Sequence, residues 1–171
     1  MNDDKVTIAL YNPKTPANVG AVMRAAGCYA AGAIRYSGER FDKAMKYQTD
    51  TNNIKGTVPL THSDNLLNDL PNAEKIICIE LVEGATALTD FEHPSQSSTY
   101  VFGPEDGSLP QTIIDQADAV VYVPTIGCMN LAATVNVVLY DRLMKMGKPI
   151  NHKERIKNSR DVNNRLVVKS S

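Results

Sequence analysis

The chain has little of what marks many protein classes. Its 171 residues include three cysteines, Cys28, Cys78 and Cys128, widely spaced and without a C-x-x-C pair. That scarcity excludes a disulfide framework and the common zinc arrangements. His62, His93 and His152 are equally scattered, so no metal is expected. No apolar run approaches the roughly 20 residues that a membrane-spanning helix needs, so no membrane role is expected. Residues Met1 to Lys5 lack the basic start of a signal peptide, and the apolar run that follows ends at Tyr11. A cytoplasmic location is the expectation. There is no G-x-G-x-x-G after the first apolar run, no G-x-x-x-x-G-K-[ST] and no G-x-S-x-G. Their absence counts against dinucleotide-binding, P-loop and serine-hydrolase readings.

Charge is small in sum but uneven in place. The formal net charge is −1, yet residues 142–171 hold nine Lys/Arg against Glu154 and Asp161. That segment is +7, so residues 1–141 must carry −8. A basic tail on an acidic body suits contact with a phosphate backbone, and is equally compatible with a solvated tail. The length fits one domain, read as residues 1–150, followed by a basic tail over 151–171.

Short β-branched runs alternate with helical patterns. Strands are expected at Val6–Tyr11, Ala33–Tyr36, Thr57–Leu60, Lys75–Glu80, Thr99–Phe102 and Ala119–Val123. Helices are expected at Asn18–Ala31, Ser63–Leu70, Pro110–Gln116 and Asn130–Met146, with Gly32 ending the first and Ser63 capping the second. Residues 39–50 read as a surface helix or loop, and residues 82–98 carry no clear pattern. This alternation predicts an α/β fold with a mostly parallel sheet and helices on both faces.

Three stretches carry more specific chemistry than a scaffold needs. Residues 12–24 run from a strand end through two prolines into a helix and contain Asn18, Gly20 and Arg24. Strand ends and helix starts are where α/β folds meet ligands. Residues 101–110 follow a strand with two glycines and two prolines around Glu105 and Asp106. Residues 123–136 repeat the strand–loop–helix pattern through Pro124, Gly127, Cys128, Met129 and Asn130, with Asn136 six residues on. Each has a plain structural reading too. Asn18 and Asn130 can be helix caps, Arg24 can simply reach solvent, Glu105 can belong to a tight turn and Asn136 can be a satisfied buried amide.

Together and in this order, the three stretches resemble the motifs of the SPOUT superfamily, specifically the SpoU/TrmH RNA 2'-O-ribose methyltransferases. The first motif is matched by Asn18, Gly20 and Arg24, the second by Phe102, Gly103, Glu105 and Gly107, and the third by Pro124, Met129, Asn130 and Leu131. The resemblance spans residues 6–145. It implies a C-terminal trefoil knot whose loops hold S-adenosyl-L-methionine near Glu80, Gly103, Val123, Cys128 and Met129. It also implies catalytic roles for Arg24, Glu105, Asn18 and Asn130, and a homodimer formed through the first and last helices. Arg24 would stabilise the developing alkoxide or hold an adjacent phosphate, because a guanidinium is a reluctant base. Glu105 would fix Arg24 or the ribose, while Asn18 and Asn130 would orient groups by hydrogen bonding. Many relatives carry serine where Cys128 stands, and that departure puts an assisting role at position 128 in doubt. The expected substrate is RNA, with tRNA favoured over rRNA. Alternatives are a non-catalytic knotted RNA-binding protein, a base-methylating SPOUT enzyme and a small-molecule enzyme.

Overall fold

The computed structural model describes residues 5–47, 58–68, 70, 74–147, 151–163 and 165–169. Among the described residues seven strands form one sheet: β1 (Val6–Leu10), β2 (Ala33–Tyr36), β3 (Leu60–His62), β4 (Lys75–Ile79), β5 (Thr86–Ala87), β6 (Ser98–Phe102) and β7 (Ala119–Tyr122). Their order is β3-β2-β1-β6-β4-β7-β5, and each neighbouring pair is parallel. Among the described residues the helices are α1 (Pro16–Cys28), α2 (Arg40–Met45), α3 (Gln111–Ile114), α4 (Leu131–Met146) and α5 (His152–Ser159).

Alternation along the central strands builds two cores. In β1, β4 and β6 the side chains of Ile8, Leu10, Ile77, Ile79, Tyr100 and Phe102 face one side, where α1, α2 and α4 cover them. Ala9, Cys78 and Val101 face the other, against Leu66, Leu109 and Ile113. Both faces are thus covered, which explains why these strands are mostly apolar on both sides instead of alternating apolar and polar. Burial pushes the Cys78 thiol up to about 12, leaving it inert.

Helix α1 begins earlier than its sequence pattern indicates. Pro16, with its fixed φ and no N–H to satisfy, takes the first helical turn and Thr15 the capping position, so Asn18 is not the cap. The helix also ends earlier. Ala30, not Gly32, adopts the left-handed conformation (φ 54°). Ala31 N–H donates to Ala26 O at 2.9 Å and Ala30 N–H to Gly27 O at 3.4 Å, a Schellman closure around an alanine.

Other boundaries moved for local reasons. No helix forms at residues 63–68: Ser63 Oγ donates to Asn65 O, and Asn65 Oδ1 accepts from Leu67 N–H, so side chains hold a turn instead. Strand β3 lies at Leu60–His62 rather than Thr57–Leu60, with Thr57 outside the described residues. The expectation for residues 39–50 is met by α2, residues 48–50 lying outside the described set, as does Asp69 of the expected helix at Ser63–Leu70. Helix α3 is shorter than Pro110–Gln116. The unpatterned stretch 82–98 holds β5 and a 3-10 turn at Leu88–Asp90. Asn136 is exposed and donates to Ala132 O within α4, so it is no buried amide. In the tail, α5 buries nothing.

Candidate active site

The strand order reverses between β1 and β6: β2 and β3 lie beyond β1, while β4, β7 and β5 lie beyond β6. In an open α/β sheet such a reversal leaves a crevice at the carboxyl ends of the two strands. The loops leaving β1 and β6 are the first two stretches singled out above, and the loop leaving β7, two places along, is the third.

Glu105 joins the first two loops. Its Oε1 accepts from Thr15 N–H at 3.1 Å, Thr15 Oγ1 at 3.0 Å and Asn18 Nδ2 at 2.9 Å, while Oε2 accepts from Lys14 N–H at 2.9 Å. Helix α1 has no acidic residue in its own first turn and no side-chain cap at Thr15. Glu105 supplies that missing negative charge from the other loop. Burial works to raise its carboxyl, but the bonds from Asn18, Lys14 and Thr15 outweigh it and hold the group below its ordinary range.

Asn18 connects the third loop. Its Oδ1 accepts from Asn130 Nδ2 at 2.9 Å, and Asn130 Oδ1 caps α4 by accepting from Ala132 N–H at 2.9 Å and Ala133 N–H at 3.4 Å. Asn130, Asn18 and Glu105 therefore form one hydrogen-bonded line across three loops that are far apart in sequence.

Beside that line opens a cavity of about 410 Å³. The five residues expected to hold a cofactor, Glu80, Gly103, Val123, Cys128 and Met129, all line it, together with Glu105. Glu80 is fixed at the end of β4, where Oε2 accepts from Leu109 N–H at 2.8 Å and Oε1 from Leu81 N–H at 3.1 Å. A Cβ at Gly103 would lie 3.2 Å from Glu80 Oε2 and 3.4 Å from Leu109 N, so the glycine keeps this wall close. Cys128 is exposed. Leu81 and Ile126 stand exposed on the cavity's rim, a place for the apolar part of a ligand.

Arg24 is set apart. It lies on the exposed side of α1, is absent from the cavity lining and makes no hydrogen bond to the described residues. The expected contact with Glu105 is not made, since the Glu105 carboxylate is occupied by Lys14, Thr15 and Asn18. Sequence reasoning missed Thr15, which gives both its N–H and its hydroxyl to Glu105. The Thr-Pro step at the start of α1 was the available signal. It also missed the backbone N–H of Leu109, which no side-chain pattern marks.

The SpoU rRNA Methylase family model matches residues 5–140, and the chain belongs to that family. It is, by class, an RNA methyltransferase. A Lactobacillus gasseri protein named as a candidate RNA (cytidine(34)-2'-O)-methyltransferase is 28% identical over 157 residues, covering 83% of this chain and 82% of its own. A solved structure concerned with 2-OH methylation of C/U34 on tRNA has a TM-score of 0.67 at 22% identity, covering 84% of this chain and 97% of that one. The AdoMet-bound rRNA methyltransferase of Sinorhizobium meliloti has a TM-score of 0.69 at 18% identity, over 85% of this chain but only 58% of that one. At these identities the solved structures show the shared fold.

Proposed function

We propose that this protein transfers the methyl group of S-adenosyl-L-methionine to a ribose 2'-hydroxyl of RNA, with the wobble nucleotide of tRNA as the favoured target. The observation that carries this reading is the Asn130–Asn18–Glu105 line beside a cavity lined by all five expected cofactor residues. Similarity to the Lactobacillus gasseri protein supports nucleotide 34. The cavity suits a nucleoside-sized ligand, with loop backbone, apolar rims and few polar groups. When bound there, the cofactor supplies a methyl group already activated on a sulfonium. We place the knotted C-terminal path of the family in the loops that line this cavity.

The chain's own residues then have a positioning task. The 2'-hydroxyl is a poor nucleophile and must be aligned and relieved of its proton. Glu105 holds the loop after β1 in place, Asn18 and Asn130 fix the start of α4, and Glu80 with Gly103 shapes the cofactor wall. A cofactor held by Glu80, Gly103, Val123, Cys128 and Met129 would supply the methyl group, and the ribose oxygen that takes it would give up its proton to solvent. Arg24 stabilises the negative charge that develops on that oxygen.

Arg24 does not line its own protomer's cavity, and a homodimer accounts for that. Along α4, Val137, Tyr140, Leu143 and Met144 form an exposed apolar stripe at helical spacing, Tyr140 being 55% exposed. Helix α4 packs against α1, whose outer side carries Ala17, Ala21, Arg24 and Cys28. Pairing two copies through these helices covers the stripe and brings Arg24 to the second copy's cavity. The tail, with α5, adds a basic surface for the RNA backbone. Arg24→Ala should abolish turnover while leaving cofactor affinity, read by calorimetry, largely unchanged. Substantial residual methylation in that variant removes Arg24 from the mechanism.

A further inference from the structure

Residues 1–141 carry a net charge of −8, yet two cations meet beside the candidate site. Lys14, in the loop after β1, places Nζ 3.2 Å from Asp106 Oδ2. Arg40, at the start of α2, donates from Nη1 to both Asp106 oxygens, at 2.9 and 3.1 Å. Asp106 directly follows Glu105, and the Lys14 backbone itself binds Glu105, so this cluster is continuous with the site.

Arg40 is held from behind as well. Its Nη2 and Nε donate to Asn12 O at 2.8 and 3.3 Å. That carbonyl is set by close packing of two left-handed residues, Asn12 (φ 46°) and Gly38 (φ 80°). A Cβ at Gly38 would fall 2.3 Å from Asn12 Oδ1, so no larger residue fits. The backbone thus fixes the guanidinium, while the contacts to Asp106 lie in solvent: Lys14, Arg40 and Asp106 side chains are 55, 34 and 43% exposed. Exposed ion pairs contribute little to stability. Two cations share the one carboxylate of Asp106, the Glu105 carboxylate being occupied by Lys14 N–H, Thr15 and Asn18, and a guanidinium suited to carboxylate oxygens is equally suited to those of a phosphate.

We propose that Lys14 and Arg40 form a phosphate subsite for the RNA strand at the catalytic cavity, with Asp106 standing in for the phosphate until RNA arrives. The proposal rests on the reading of the chain as an RNA methyltransferase and adds where the strand is gripped. On binding, a backbone phosphate displaces Asp106 from one or both cations, so the carboxylate acts as a competing anion.

The test measures affinity for a pool of unmodified tRNA transcripts by fluorescence anisotropy, between about 50 and 200 mM salt. Lys14→Gln and Arg40→Gln should each weaken binding about three- to tenfold and lower the slope of log affinity against log salt by about one. Lys14→Arg and Arg40→Lys should keep the slope, which separates lost charge from a disturbed loop. Asp106→Asn should tighten binding. In methyl transfer, the two glutamine variants should raise KM for RNA with kcat within about twofold. Wild-type slopes in both glutamine variants, or an Asp106→Asn variant that binds as weakly as they do, overturn the proposal. The slope needs no turnover, so it stands apart from the catalytic reading. A wild-type protein that neither binds cofactor nor transfers methyl overturns that reading, whatever the slopes show.

Discussion

Glu105 and His93 sit at the centres of two polar networks that resemble each other on paper and differ in surroundings. Each ties together segments remote in sequence. Glu105, with Asn18, joins three loops at the carboxyl ends of the strands, next to an open cavity. His93 has a fully buried side chain between β6 and α4, with Nδ1 2.7 Å from Tyr100 Oη and Nε2 2.9 Å from Asp141 Oδ2. Asp141 also pairs with Lys145 at 2.8 Å, and Lys145 donates to the carbonyls of Leu88 and Phe91. The His93 network closes on protein groups and lies outside the lining of the cavity beside Glu105, so we assign it to holding α4 on the sheet. A cluster of titratable side chains becomes a site when it borders space for a ligand. Density of polar groups does not suffice.

Removing the two central residues should separate activity from stability. Glu105→Ala leaves four donors from Lys14, Thr15 and Asn18 without their acceptor and frees the loop after β1. Methyl transfer should fall at least about 100-fold. The stability lost should be only about 1–3 kcal/mol, because the carboxylate is partly exposed. His93→Ala should do the reverse. It opens a buried gap and takes a hydrogen-bond partner from Tyr100 and from Asp141, which should cost about 2–4 kcal/mol in denaturant unfolding. Its kcat should stay within about twofold at a temperature where it remains folded. Equal activity losses in the two variants break the comparison.

Acid should sharpen it. Burial lowers the pKa of His93, and this outweighs the bond to Asp141 that raises it. The unfolded chain therefore takes up a proton first as pH falls past the ordinary value of 6.5, and the folded state loses stability on the way to the lower folded value. The bonds to Glu105 lower its carboxyl, so its contribution is present above 4.5 and is lost as pH falls below that value. Unfolding followed against pH should show both phases, with His93→Gln removing only the upper one. The smallest effect lies outside both networks. Ala30→Gly relieves the left-handed strain at the end of α1 and should raise stability by about 0.5–1 kcal/mol in thermal unfolding.

What the sequence made legible follows from where the determinants lie. The layered α/β fold was readable because β1, β4, β6 and β7 are short, mostly apolar runs rich in β-branched and aromatic residues, whose signal is local. The turn at residues 63–68 was not, since Asn65 diverts the backbone through its own side chain. Glu105, Asn18 and Asn130 could be named from their motifs. Their joining into one line could not, because it depends on the strand order that brings β1 beside β6. Lys14, Arg40 and Asp106 went unremarked as a group for the same reason: Lys14 and Asp106 lie 92 residues apart and meet only in the fold. Arg24 was legible as a motif residue, but its position away from its own cavity was not.

The most direct measurement is transfer of labelled methyl from S-adenosyl-L-methionine to unmodified total RNA, followed by digestion to nucleosides. The account predicts a 2'-O-methylated nucleoside that maps to tRNA position 34 and disappears with Glu105→Ala. Label recovered on a base, or no transfer by a protein that also fails to bind the cofactor, contradicts it.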